Sequence, residues 1–302
     1  MTSRAASRLL LLSGALLFST GGAAIKATSL ANWQVASFRS LVAAVALVAF
    51  LPEARRGWSW RVLPVGLAYA STLVLFVLAN KLTTAANAIF LQSTAPLYLL
   101  LLGPWLLGER IRRSDLLFIT PIALGMTLFF VGAESAVATA PDPARGNPLA
   151  AASGLSYALT LAGLRWLGKH AAAHNRAMAA VLAGNVIAVV ACLPMALPVT
   201  NAGTADVAVI LYLGVFQIGL AYLCVTRAMR QVPAFEASML LLAEPALNPV
   251  WTWVAHGERP SHWAIAGGAL ILAATFANTW WQSWGCRSFD RGHGWDKSRE
   301  VK

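Results

Sequence analysis

Apolar residues run along this chain in blocks of about twenty, split by short polar turns, with neither the two-residue alternation of half-buried strands nor a recurring polar helix face. A helix needs about 20 such residues to cross a hydrocarbon core of about 30 Å. Blocks of that length fall at roughly residues 9–27, 33–51, 62–81, 86–106, 115–133, 149–167, 177–197, 207–227, 235–255 and 262–283. The pattern predicts an all-α integral membrane protein of ten transmembrane helices, spans one to ten in chain order.

The blocks are also copied. Pro96–Arg110 aligns with Pro245–Arg259 without a gap at an offset of 149, matching a proline at one end and Gly-Glu-Arg at the other. A weaker echo places Ser13, Gly14 and Thr20 over Ser153, Gly154 and Thr160 at an offset of 140, with the aromatics Phe18 and Tyr157 displaced by one position. An internal repeat fixes architecture before any single residue does. It divides the chain into a first repeat at 1–133, a linker at 134–148 rich in Pro and Ala, a second repeat at 149–284, and a mixed-charge tail at 285–302 expected to be disordered.

Composition agrees with a membrane setting. Hydrophobic residues make up 58% and charged residues 12%, where soluble domains carry about 25% charged, and the mean hydropathy is +0.64. With the N-terminus placed in the cytoplasm, 18 of the 23 Lys and Arg fall in inner segments and 4 in outer ones, with Arg39 inside span two. That bias follows the positive-inside rule. It also accounts for the net charge of +11 without nucleic acid as a partner. Five spans per copy is an odd number, so the second copy enters the bilayer from the opposite side, giving two inverted five-helix repeats with both termini inside. Folds of that kind hold substrate near the midplane between the repeats.

Chemistry-bearing motifs are few. Cys192, Cys224 and Cys286 show no paired spacing, His170 and His174 lack companion ligands, and no phosphate-binding loop or nucleophile elbow is present, so the reading is of a non-enzyme without metal or cofactor. Polar groups at membrane depth are costly and face a neighbouring helix, water or a substrate. Those near the span centres include Arg39, Gln92, Tyr157, Asn185, Gln217, Glu244 and Asn248. Glu244 directly precedes Pro245, whose missing N–H opens the backbone. A carboxyl there can change protonation between conformations, as proton coupling requires, or can hold the kink through a hydrogen bond. Arg39 needs an anion, whether from substrate or Glu244, or reaches toward the outer surface.

Of the rings, Tyr69, Phe90, Tyr98, Tyr157 and Tyr222 are the pocket-lining candidates, whereas most tryptophans sit at span ends as an aromatic belt. Asn87 and Glu236 occupy equivalent positions at span ends and suit a gate or a plain interfacial role. Spans five and ten carry few polar residues and are expected at the periphery, where Gly125, Gly267 and Gly268 suit close helix contacts, a homodimer partner among them.

These residues give the chain a resemblance to the EamA-like branch of the drug/metabolite transporter superfamily. The proline–eleven residues–Gly-Glu endings of spans four and nine, the two five-helix copies and the small-residue-rich first span carry it. The resemblance implies a secondary transporter in a bacterial inner membrane, exporting or exchanging a small metabolite such as an amino acid. On that reading Arg39 holds an anionic group of the substrate. Gln92, Asn185, Gln217 and Asn248 supply hydrogen bonds, Tyr157 packs on an apolar part and Glu244 couples protons. A lipid flippase and an uncoupled facilitator are the alternatives. Pro96 follows Ala95 where Pro245 follows Glu244, which confines any charge function at this place to the second copy.

Overall fold

The computed structural model describes residues 4–106, 113–131, 136–168, 173–200, 202–228, 240–241 and 243–292. Gly108-Glu109-Arg110, His170 and Glu236 lie outside the described residues. Every regular element among them is helical: α1 (Arg4–Ser19), α2 (Gly21–Ala27), α3 (Asn32–Phe50), α4 (Val62–Leu82), α5 (Ala85–Gln92), α6 (Ala95–Leu106), α7 (Arg113–Val131), α8 (Pro143–Gly168), α9 (Ala173–Ala196), α10 (Thr204–Tyr212), a π-helical segment (Leu213–Leu220), α11 (Ala221–Ala228), α12 (Ala243–His256) and α13 (His262–Gly292). Among the described residues, five helices are long and apolar enough to cross a membrane, at Ala5–Ala27, Asn32–Phe50, Val62–Leu82, Asn175–Ala196 and Thr204–Val225. Large apolar side chains such as Leu67, Leu117, Val190 and Val254 are exposed along the helices, a surface suited to lipid and ill suited to water.

The interruptions have local causes. Span one breaks at Thr20, between α1 and α2. The Thr20 hydroxyl donates to Leu17 O at 2.7 Å, so Tyr212 is the donor in the 2.8 Å contact between their two hydroxyls. Span four splits at Ser93 and Thr94, and Pro96 lies in the first turn of α6, where a residue without an N–H is favoured.

Two boundaries differ from the sequence expectation. Residues 143–148 are helical instead of linker, because Asp142 accepts the Arg145 N–H at 3.1 Å and Pro143 occupies the first turn. Helix α13 continues to Gly292, through the first part of the expected tail.

The halves are interleaved. Helix α4 lies against α8, and α11 against α1; α5 lies against α8, and α12 against α1; α4 meets α9, and the π segment meets α3. Exchanging spans one to five with spans six to ten maps each contact onto its partner. The pairs α3 with α9 and α7 with α13 map onto themselves. Gly125 and Gly267 serve that last pair. A Cβ on Gly125 would sit 2.9 Å from Gly267 O, and one on Gly267 would sit 2.6 Å from Gly125 O. Gly268 is closed over by the Phe90 ring, which lies 6.1 Å from Phe129. These glycines therefore serve a close contact between α7 and α13 of one chain. The Tyr98 hydroxyl likewise lies 3.9 Å from Met126 Sδ, in packing between α6 and α7.

One end of the molecule is tied by a buried polar network. Lys26 Nζ lies 2.9 Å from Glu258 Oε2 and donates to the carbonyls of Thr83, at 2.9 Å, and Thr139. Glu258 Oε1 accepts from Ala85 N at 2.6 Å, capping α5 beside Thr84. Asp206 accepts from Thr28 Oγ1 at 2.6 Å, Ser29 N at 2.7 Å and Gly203 N at 2.9 Å. Asn147 Oδ1 accepts from Thr83 Oγ1 at 2.7 Å and Asn87 Nδ2 at 3.2 Å. Asn87 is thereby a structural group of this layer. Gly257 explains why the repeated ending begins with glycine: at φ +65° it takes the left-handed turn that stops α12, with its N–H on Trp253 O at 2.9 Å, and Glu258 follows it directly.

Removing one member of a buried ion pair leaves the other charge uncompensated and costs about 3–5 kcal/mol. Glu258→Gln and Lys26→Met are each expected to lower the melting temperature of the detergent-solubilised protein, read by tryptophan fluorescence, and the double variant to recover part of the loss. An unchanged melting temperature in Glu258→Gln would show that the pair carries no stability.

Candidate functional site

Away from that end, four rings gather where the halves meet. Phe18 on α1 meets Tyr222 on α11 edge-on at 5.2 Å between centroids, and Tyr222 meets Tyr69 on α4 edge-on at 5.8 Å. Such pairs contribute about 0.5–1.5 kcal/mol beyond area burial, so the arrangement is held as a unit. Gly184 makes room for it: a Cβ there would lie 2.5 Å from Tyr69 Cδ1. Tyr157 on α8 and Glu244 in the first turn of α12 complete the group, since the Glu244 carboxyl lies within electrostatic reach of both Tyr157 and Tyr222.

Tyr157, Tyr222 and Glu244 are each partly buried. Glu244 makes no hydrogen bond and no ion pair among the described residues. The wall draws on spans one, six, eight and nine, with span three immediately behind, and so belongs to neither half alone.

Arg39 stands behind this wall. It is 1% exposed, Nη2 donates to Leu73 O at 2.9 Å, and Nε is buried without an acceptor. Its titratable neighbours are the neutral side chains of Tyr69, Tyr222 and Cys192, and it forms no ion pair with Glu244. Asn185 is also buried there. Its Nδ2 returns to Val181 O on its own helix at 2.9 Å, and its Oδ1 has no partner. The buried Tyr69 hydroxyl lies beside Tyr222 and Asn185 without a well-formed hydrogen bond to either.

The remaining residues singled out from the sequence fall elsewhere along the seam. Gln92 Nε2 donates to Ser153 Oγ at 2.7 Å, and Ser153 donates on to Thr72 O at 3.2 Å. The Ser-Gly motif of the second copy therefore locks α8 onto α4 and α5, with Gly154 so close that a Cβ would lie 2.8 Å from Leu91 O. Gln217 sits in the π-helical segment and is buried against Gly21. Short π-helical stretches are uncommon and concentrate at functional places. Asn248 is fully buried against Gly22, with neither polar atom of its side chain bonded. Just beside it, Trp251 Nε1 donates to Ser19 Oγ at 2.9 Å, so this tryptophan belongs to the interior and not to an interfacial belt.

The sequence singled out Glu244, Tyr157, Tyr69 and Tyr222, which the fold brings together. It missed Phe18 as a wall residue, although its alignment with Tyr157 in the two copies was the available signal. It also missed Lys26, Glu258 and Asp206, which lie at span ends where charged residues are ordinary and reveal a role only through their partners.

Glycine is required where α2 meets Asn248. A Cβ on Gly22 would lie 2.5 Å from Asn248 Oδ1 and 3.0 Å from the Ala85 Cβ, and overpacking of this kind costs about 1–3 kcal/mol. Gly22→Ala is expected to lower the melting temperature, and Gly22→Ala combined with Asn248→Ala to lose less than the sum of the two single changes. Strict additivity would show that the two positions do not press on each other.

Comparison with known proteins places this geometry in a family. No protein of curated function matches the chain significantly. A solved crystal structure shares its fold at a TM-score of 0.58 and 20% sequence identity, over 90% of this chain and 96% of that one. The model of the EamA-like transporter family matches twice, over residues 6–131 and 144–280, one match to each copy. The chain therefore belongs to the EamA-like transporter family.

Proposed function

We propose that this membrane transporter is a secondary carrier that moves a small polar metabolite, an amino acid or related compound, by alternating access, with export as its direction. The observation that carries the proposal is the group of Phe18, Tyr222 and Tyr69, drawn from both halves at the seam, with Tyr157 and Glu244 beside it. A site that belongs to both halves is remade whenever one rocks against the other.

Ten spans in two inverted repeats are the threading that this reading uses. The connections after spans one, three, five, seven and nine all join the polar network of Lys26, Asp206, Asn147 and Glu258, as alternate crossing of a bilayer requires. With the basic residues directing the other end to the cytoplasm, the networked end is the outer one, the setting is a bacterial inner membrane and both termini are cytoplasmic. The closed outer layer then leaves the ring group to communicate with the inner side.

In this mechanism Glu244 carries the coupling proton, since it is the carboxyl at the wall and has no partner among the described residues. Tyr157 packs on the apolar part of the substrate. Arg39 and Asn185 lie beside Tyr69, and Arg39 holds an anionic group of the substrate when the halves rearrange. Gln92 fixes α5 to α8 at the helix break, while Gln217 and Asn248 lie where α2, the π segment and α12 slide on glycine. Bare amide groups there provide alternative hydrogen bonds for a second packing.

Untargeted profiling of medium from cells producing the wild type is expected to show one metabolite class enriched over cells producing Glu244→Gln at equal membrane levels. In proteoliposomes loaded with that metabolite, a pH gradient is expected to drive its movement through the wild type and not through Glu244→Gln. Equal movement with and without the gradient would assign an uncoupled facilitator, and equal enrichment by both proteins would make Glu244 structural.

A further inference from the structure

At the end of the molecule away from the polar network, the connection between α3 and α4 presents cations on a fixed support. Leu51 and Ala54 are buried in one cluster with Met178, Val181 and Leu182 of α9. Gly57 turns at φ +80° so close to that helix that a Cβ would lie 2.8 Å from Arg176 N. Anchored on this side, the connection leaves Arg55, Arg56, Trp58 and Trp60 facing out, the two rings 51% and 71% exposed. Arg55 is steadied by the last carbonyls of α3, its Nε donating to Val48 O at 2.6 Å and its Nη2 to Ala49 O at 3.3 Å. Arg61 follows, with its guanidinium carbon 5.8 Å from the Trp60 ring and 5.7 Å from the ring of Trp166 on α8.

These charges are unanswered. Arg55, Arg56, Arg61 and Arg176 make no ion pair among the described residues, and Glu53 is the one acid between α3 and α4. Grouped cations of this kind repel one another and attract an anion. A guanidinium held on ring faces keeps its N–H fork free, and that fork matches the oxygens of a phosphate. Apolar surface continues directly from the patch. Trp60, Leu63 and Leu67 recur at spacings of three and four, with the Leu63 N–H on Trp60 O at 3.2 Å, and Leu63 and Leu67 are 54% and 57% exposed. A soluble anion would use the arginines and leave this row in water, whereas an amphiphile covers both.

We propose that this surface binds an anionic phospholipid, with the phosphodiester on Arg56 and Arg61, the glycerol region at Trp58 and Trp60, and an acyl chain along Leu63 and Leu67. Trp166 belongs to the second copy and Arg61 to the first, so the lipid rests on a junction of the two halves. The cytoplasmic leaflet is its place on the orientation proposed above, while the binding itself requires neither that orientation nor transport.

Phosphatidylglycerol and phosphatidylcholine with matched acyl chains share a phosphodiester and differ in net charge. Native mass spectrometry of the full-length protein, in neutral detergent micelles doped equally with both, is expected to show phosphatidylglycerol retained at least about tenfold over phosphatidylcholine. Arg56→Gln combined with Arg61→Gln is expected to remove that preference, and Arg61→Lys, which keeps the charge and loses the fork, to weaken it. Arg287→Gln combined with Arg291→Gln is expected to retain it, and millimolar inorganic phosphate to leave the lipid bound. The proposal is overturned if the wild type retains both lipids alike, if free phosphate displaces the lipid, if the preference survives the loss of Arg56 and Arg61, or if it follows Arg287 and Arg291 instead. Should the double variant at Arg56 and Arg61 fail to fold, Arg56→Gln alone, at an exposed side chain, decides between the same outcomes. Micelles have no sides, so a failure here leaves the orientation and the transport reading standing.

Discussion

A buried polar group has no water to turn to, and in this chain the partner that answers it comes repeatedly from the other half. Lys26 of the first copy is neutralised by Glu258 of the second, Thr28 is bonded by Asp206, Thr83 by Asn147, Ser19 by Trp251, and Thr20 by Tyr212. Neither copy could bury these groups alone. The reciprocal packing of α1, α3, α4 and α5 on α8, α9, α11 and α12 is the apolar side of the same dependence.

Duplication gives symmetry, and function uses the departures from it. Phe18 and Tyr157 stand on equivalent spans, as do Tyr69 and Tyr222, so the rings form a near-symmetric lining. Arg39 and Asn185, also on equivalent spans, differ by a full charge, and Glu244 occupies a place where the first copy has Ala95. The carboxyl therefore sits off the axis that relates the copies. In the proposed carrier this asymmetry is what distinguishes one end of a bound molecule from the other.

Much of this arrangement was legible in the sequence. Block length and the two proline–Gly-Glu endings pointed to membrane helices in two copies, and span four restarts just ahead of Pro96. That Glu244, Tyr157, Tyr69 and Tyr222 lie near one another was readable because hydropathy places all four near the middle of their spans. Depth does not set direction around a helix, which is why Arg39 and Tyr157 looked alike from the sequence and yet lie behind and on the wall. Glycine told still less: Gly125 and Gly267 announced a close helix contact, and only the fold shows that the neighbour is the same chain. The Lys26–Glu258 pair was hidden because each residue alone reads as an ordinary interfacial charge.

The account stands on two copies that cross the bilayer in opposite senses, and labelling of single cysteines from either side tests that most directly. In a chain whose Cys192, Cys224 and Cys286 have been replaced, cysteines introduced at Ser114 and at Ser261 mark equivalent ends of the two copies. The account predicts that an impermeant thiol reagent reaches Ser261→Cys in intact cells and Ser114→Cys only after the cytoplasmic face is exposed. Labelling of both from the same side would contradict it.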